Sequence, residues 1–337
     1  MKTVADVLGE DWQGSEVITD AVSKCLSVVN DPKYKKILCS VSLGSDSDCM
    51  LDLVTRCSER NNVDYVFINT GFELDCTLRH KAFLESRYGI EIKEYKAKTP
   101  VPLAIKQKGI PFLSKTTSEF LGRLQNHEFD FVNDGWKSYD ELIQKYPKCQ
   151  SAFAWWTNSN KSVAFCVDYH SYLKQFIISN PPSFKISNRC CDIVKKRSAH
   201  SLLEEGNYDC DLVGLRRSEG GARQLRYKNC FDSKENAADV YRPLWWMDDS
   251  VKTEYEQKFK IIHSDAYGVY GFKRTGCTSC SFGRDFEFEL EAVEKYEPKK
   301  YPACLNIYGP AYEYTRAYHE YRDRMKQAKA EGGIDNE

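Results

Sequence analysis

Residues 36–41, Lys-Ile-Leu-Cys-Ser-Val, form a short apolar run that ends in a stretch of Ser, Gly and Asp. This pattern predicts a buried strand followed by a turn. Met50, Leu51, Leu53 and Val54 then supply the buried face of a helix over 45–58. A second strand is expected at 63–69, a helix over about 75–88 on Leu78, Phe83 and Leu84, and a third strand beginning at 90–92. Alternation of strand and helix predicts an α/β fold, doubly wound around a mostly parallel sheet with helices on both faces. Residues 115–185 are less regular and rich in aromatics (Trp136, Tyr146, Phe153, Trp155, Trp156), and read as a mostly helical insertion that Pro181 and Pro182 close. Strand character returns at 211–215. A further helix is expected over about 250–259, capped by Asp248 or Asp249. From about 310 to 330 the spacing of Tyr314, Tyr318, Tyr321 and Met325 predicts a helix with one packing face. The expected division is an N-terminal helical segment at 1–35, an α/β domain at 36–290 and a C-terminal helical tail at 291–337. No internal repeat is visible.

Composition narrows the class. The 337 residues carry a formal net charge of −1, so no global field recruits nucleic acid, although a local basic patch stays open. No run approaches the ~20 apolar residues of a membrane span, and residues 1–13 lack the apolar stretch of a signal peptide. A cytoplasmic protein without a membrane partner is expected. The 14 cysteines are therefore read as thiols rather than a disulfide framework. Most, such as Cys39, Cys49, Cys57 and Cys166, sit among apolar or helical residues and are expected in the core.

Ser42-Leu43-Gly44-Ser45-Asp46-Ser47 follows the first strand and opens the first helix. First-turn N–H groups lack partners and the helix dipole favours an anion, so a phosphate fits there. Gly44 allows close approach, and Ser42, Ser45 and Ser47 offer hydroxyls. The same residue types also make an ordinary strand-to-helix turn. The hexapeptide resembles the Ser-Gly-Gly-x-Asp-Ser loop of PP-loop ATP pyrophosphatases and of the related PAPS (phosphoadenosine phosphosulfate) reductase family, which share the adenine nucleotide alpha hydrolase-like fold. Leu43 replaces the second residue of that pattern, and Ser45 stands where a lysine is common, which removes a cation from the phosphate. Phe67-Ile68-Asn69-Thr70-Gly71 with Glu73 and Thr77 resembles the family's second strand and "DTG" turn near the nucleotide, with Asn69 for Asp. Ile110–Lys115 and Tyr241–Trp246 also resemble family segments, and structural packing is expected of Trp245 and Trp246. Val213-Gly214-Leu215-Arg216-Arg217-Ser218-Glu219 resembles the "GxRRxES" segment that closes over the nucleotide. Arg216, Arg217 and Arg223 suit bidentate phosphate or sulfate contacts, or else form a solvated charged loop. The resemblance implies nucleotide binding by Ser42, Gly44, Ser45, Asp46, Ser47, Thr70, Gly71 and Arg223, with Asp46, Arg216 and Arg217 as catalytic candidates.

Cys190-Cys191 is an adjacent pair, and Cys277-Thr278-Ser279-Cys280 is a C-x-x-C. The second motif alone permits zinc, a redox disulfide or an iron–sulfur cluster. A redox disulfide leaves the adjacent pair unexplained, and neighbouring residues converge awkwardly on one zinc, whereas a cubane offers each its own iron. The arrangement resembles the site of assimilatory APS (adenosine phosphosulfate) reductases, which implies a [4Fe-4S] cluster on Cys190, Cys191, Cys277 and Cys280. Lys195, Lys196, Arg197, Lys273 and Arg274 flank these cysteines and favour a negative cluster.

Sulfonucleotide reductases end in a Glu-Cys-Gly-Leu-His motif with a nucleophilic cysteine, and this chain has none. Cys304, the only cysteine after Cys280, reads as a buried thiol. The Asp46-Ser47 ending is closer to ATP-cleaving relatives that adenylate a substrate, some of which serve sulfur transfer to nucleic acid, including DNA phosphorothioation. The expectation is an enzyme of sulfur metabolism using ATP, APS or PAPS, with Mg²⁺ placed by Asp46 if the substrate is ATP. Its expected partners are a sulfur or electron donor, a nucleic-acid acceptor and a second copy of itself. A non-turnover nucleotide sensor with a structural cluster and a zinc-stabilised nucleic-acid binder are the alternatives.

Overall fold

The apolar run at 36–41 becomes the sheet's third strand in spatial order. The structure is a computed structural model that describes residues 2–219, 227–235, 237–283 and 285–332. Among these residues six strands form one sheet: β1 Ile37–Val41, β2 Val63–Asn69, β3 Ile92–Lys96, β4 Cys210–Val213, β5 Phe231–Asp232 and β6 Asp239–Tyr241. Their order is β3-β2-β1-β4-β6-β5, parallel except where β5 pairs with β6. The chain winds from β1 to β2 and β3 on one side and then crosses to β4 on the other side of β1, so the winding reverses at β1. In open α/β sheets that reversal opens a crevice at the carboxyl ends of the strands. The residues that follow Val41 lie there.

By its contacts the chain forms two compact units, one within residues 1–98 and 195–277 and the other within 99–194 and 278–337. The first contains the sheet and the helices α1 Glu16–Val29, α2 Ser45–Cys57, α3 Asp75–Tyr88, α4 Arg197–Gly206 and α5 Asp249–Phe259. Period-2 alternation sends Ile37, Cys39 and Val41 to one face, where they pack with Val22 of α1, Met50 and Leu53 of α2, Leu84 of α3 and Tyr255 of α5. Leu38 and Val66 point the other way, toward Leu202 of α4 and Tyr208. The α/β fold with helices on both faces of a mostly parallel sheet is thus present. The third strand starts at Ile92, later than its apolar onset, because Gly89 ends α3 in the left-handed region at φ 62.

The second unit is mainly helical, with helices at Lys115–Asn126, Tyr139–Lys145, Gln150–Trp156, Leu173–Ser179, Phe286–Tyr296 and Tyr301–Gly332. Its core includes Phe112, Leu121, Phe153, Trp155, Trp156 and Phe176. Tyr318 is buried in that core and Tyr314 and Tyr321 pack against it, so this tyrosine stripe serves packing. The last helix runs through Pro310 and begins nine residues before the expected start. No helix among the described residues is long and apolar enough to cross a membrane.

One turn departs from ordinary backbone geometry. Leu43 sits at φ 57 while its side chain is fully buried in the core of the first unit. The left-handed region costs a non-glycine residue about 1–2 kcal/mol, which the buried side chain offsets. Leu43→Ala should destabilise by about 2–5 kcal/mol. Leu43→Gly should be about 1 kcal/mol more stable than Leu43→Ala, the reverse of the usual order, because only glycine is relaxed at this φ. Urea denaturation of the two variants checks the order, and Ala more stable than Gly would contradict it.

Candidate functional site

The chain leaves β1 at Val41 and enters α2 at Ser45, and side chains at that corner bind back onto the backbone. The Ser42 N–H donates to Ser47 Oγ at 2.8 Å, and the Ser45 N–H donates to the Tyr267 hydroxyl at 2.9 Å. Gly44 is the N-cap residue of α2 and brings no capping side chain. A Cβ there would lie 3.1 Å from Thr275 Oγ1 and 3.2 Å from the Tyr267 oxygen, closer than such contacts normally allow. The helix start is thus a set of N–H donors partly covered by one hydroxyl.

Two cations converge on this corner. Arg216 is buried and donates from Nε to Asp46 Oδ1 at 2.8 Å and from Nη1 to Asp249 Oδ1 at 2.8 Å. Lys252, near the start of α5, reaches Ser45 Oγ at 2.8 Å and Asp46 Oδ1 at 2.9 Å. Burial pulls the Lys252 ammonium down, but its bond to Asp46 and the nearby carboxylates outweigh this and hold it above its ordinary range. Burial likewise opposes the charge on Arg216, and Asp249 and Asp46 overcome it. The sequence places Ser45 where a lysine is common, and that reading left the loop without its own cation. The structure returns one from α5. Lys252 touches Ser45 itself, the residue at that position.

A second layer lies beside the loop. Asp48 is fully buried, and its Oδ2 meets His263 Nδ1 at 2.8 Å and His80 Nε2 at 3.0 Å. His263 Nε2 meets Glu256 Oε1 at 2.9 Å, and Lys252 Nζ is 3.3 Å from the same oxygen. Burial disfavours the His263 cation, but Asp48 and Glu256 on its two ring nitrogens raise its pKa to about 9. Burial pushes the Glu256 carboxyl up, while His263 and Lys252 hold it below its ordinary value.

The other expected site residues lie on several different segments. Thr70 is buried and donates from Oγ1 to Glu73 at 2.6 Å, with Cys277 Sγ at 3.9 Å. Gly71 has φ 79, and its N–H donates to Asn69 Oδ1 at 2.8 Å, a turn that Asn closes as well as Asp would. Arg217 is exposed and stacks over the half-exposed Trp246 at 5.5 Å, away from Asp46, while Trp245 is buried as packing requires. Arg223 lies outside the described residues. Cys190 is buried and Cys191 partly exposed in the helical turn Arg189–Cys191, and Cys277 and Cys280 are partly exposed. Asp248, not Asp249, caps α5, which frees Asp249 for Arg216. Lys252, Glu256, His263, His80 and Tyr267 were missed in the sequence. The available signal was Asp48 and Asp52, two carboxylates set among the apolar residues of α2.

Residues 36–120 match the family model of the phosphoadenosine phosphosulfate reductase domain. The match opens on β1 and contains residues 42–47, Thr70 and Gly71, but it is about a quarter of the chain and excludes Arg216, Lys252 and the four cysteines. No curated protein matches the chain. Among solved structures it is similar to a phosphoadenylyl-sulfate (PAPS) reductase from Candida auris in a phosphate complex, at 15% identity and TM-score 0.40, covering 79% of this chain and 96% of that one. A U34-tRNA thiolase from Methanococcus maripaludis with its [4Fe-4S] cluster follows at 12% identity and TM-score 0.38, covering 94% and 85%. An NH3-dependent NAD synthetase from Campylobacter jejuni stands at 11% identity and TM-score 0.35, covering 97% and 98%. Likeness this distant assigns no residue.

The raised pKa of His263 has a definite sign. Its charged form is favoured by the fold, so its contribution is complete below pH about 6.5 and lost as pH rises through about 9. A shift of this size is worth up to about 3 kcal/mol. In chelator-treated samples the wild type should lose more stability between pH 6.5 and 9.5 than His263→Gln does. Parallel pH profiles in urea denaturation would contradict the assignment.

Proposed function

We propose that the chain binds an adenine nucleotide by its phosphates at the N-terminus of α2 and uses it in sulfur chemistry, with adenylation of an acceptor as the reaction. The observation that carries this reading is the convergence of Arg216 and Lys252 on Asp46 and Ser45, at a helix start on the sheet's switch point. A polyphosphate would displace the Tyr267 hydroxyl from the Ser45 N–H and draw both cations from Asp46. Ser42, Gly44 and Ser47 complete the cradle. Thr70 and Gly71 line the neighbouring strand end as nucleotide contacts, and Arg217 and Arg223 are the outer candidates for phosphate or sulfate. Asp46, once relieved of its cations, is the carboxylate for a nucleotide-bound Mg²⁺.

In this reaction an acceptor oxygen attacks the α-phosphorus, the α–β phosphoanhydride bond breaks, and pyrophosphate leaves with the bonding electron pair. Arg216 and Lys252 neutralise the charge that accumulates on the leaving group. A sulfur donor then displaces AMP. Reduction of a sulfonucleotide fits less well, because the one thiol beyond the C-x-x-C, Cys304, is fully buried and burial pushes it up to about 11. A thiol in that state is a poor nucleophile.

The four thiols of Cys190, Cys191, Cys277 and Cys280 fit a [4Fe-4S] cluster as a donor set, with basic residues at 195–197, 273 and 274 beside them in sequence. Such a cluster, held by these four cysteines, would supply charge and rigidity and would leave no iron open for sulfur. A cytoplasmic setting, a nucleic-acid acceptor and self-association belong to the same reading.

Anaerobically purified protein should release pyrophosphate from ATP in the presence of its acceptor class, tested with RNA and DNA. Lys252→Met should lower that rate by about 100-fold, the scale of losing one charge-stabilising group. The protein should contain iron and sulfide, lost in Cys190→Ala. Sulfite release from APS or PAPS without pyrophosphate release would replace adenylation by reduction. Nucleotide binding without turnover would make the chain a sensor, and colourless protein holding zinc would remove the cluster.

A further inference from the structure

We propose that Cys49, Glu256 and His263 form a zinc site beside the phosphate loop. One ligand atom from each of Cys49, Glu256 and His263 lies within 4.8 Å of the others, and Cys49 Sγ is 3.6 Å from Glu256 Oε1. Tetrahedral zinc, with bonds of about 2.3 Å to sulfur and 2.0 Å to oxygen, would set those two atoms about 3.5 Å apart. The His263–Glu256 distance of 2.9 Å needs to open to about 3.3 Å on the same bond lengths. Both changes are within side-chain movement.

Three further features point to a metal. His263 Nδ1 donates to Asp48 at 2.8 Å, the outer carboxylate that fixes the tautomer of a ligating histidine. His80 holds Asp48 from the other side at 3.0 Å, while the buried Asp48 Oδ1 has no hydrogen-bond partner among the described residues. A thiolate, an imidazole and a carboxylate favour Zn²⁺ over Mg²⁺. Three protein ligands leave a fourth position for water.

The site acts on the loop through Lys252. Glu256 is shared between His263 and Lys252. When the carboxylate turns to the metal, Lys252 keeps Ser45 and Asp46 as its partners. The metal is thereby a positioning element for the loop cation, and its existence does not depend on the nucleotide reading.

Zinc content after equilibrium dialysis against Zn²⁺, compared between wild type, Cys49→Ser and Glu256→Gln, tests the site. The wild type should hold one equivalent that Cys49→Ser loses, and Glu256→Gln should bind that equivalent at least about 10-fold more weakly. With Co²⁺ as probe, the thiolate charge-transfer absorption that depends on Cys49 should vanish in Cys49→Ser. Circular dichroism checks that each variant folds, and Glu256→Gln carries the test alone if Cys49→Ser does not. Equal metal content and unchanged affinity in the folded variants would overturn the site, whatever the outcome with ATP.

Discussion

The structure around the phosphate loop depends on one shared carboxylate. Asp46 Oδ1 receives Arg216 from the segment after β4 and Lys252 from α5, at 2.8 and 2.9 Å. Two cations held so close to one oxygen repel each other. They remain because Asp249, Ser45 and Glu256 carry part of their charge. Removing Asp46 would leave both under-compensated, and breaking a largely buried ion pair from one side costs about 3–5 kcal/mol. The same arrangement stores cationic charge where an incoming anion can take over from the carboxylate.

α2 organises the first unit through three acidic residues spaced along it. Asp46 faces the loop. Asp48, two residues further along, ties His80 of α3 to His263. Asp52, also fully buried, accepts from Arg56, Tyr88 and Tyr255 at 2.7–2.9 Å and so joins α3 and α5 to the same helix. Apolar packing by Met50, Leu53 and Val54 supplies most of the burial. The carboxylates decide which partner meets which turn of the helix. The loop is therefore joined by direct contacts to α5 and to the segment bearing Tyr267 and Thr275.

Much of this was legible in the sequence where residues act as neighbours. The strand at 36–41, the helix from Ser45 and the strand at 63–69 follow from short-range periodicity and turn chemistry, which tertiary contacts rarely override here. The loop after β1 is six consecutive residues, so the hydroxyl and N–H groups of that corner could be named in advance. Lys252 and Glu256 were not legible. At i,i+4 on a polar helix they read as a solvated ion pair, and only docking of α5 turns them inward. His263 follows that helix by four residues and carries no local mark. The two arginines illustrate the same limit, since nothing in Arg216-Arg217 says that the first is buried on Asp46 and the second stacks over Trp246. The family match stops at residue 120, short of all these partners.

The most direct measurement is a crystal structure of the protein with a non-hydrolysable ATP analogue and Mg²⁺. The phosphates should lie at the first turn of α2, with Lys252 and Arg216 drawn from Asp46 onto them and the Tyr267 hydroxyl displaced from the Ser45 N–H. An analogue bound elsewhere, with Lys252 still on Asp46 and Tyr267 still on Ser45, would contradict it.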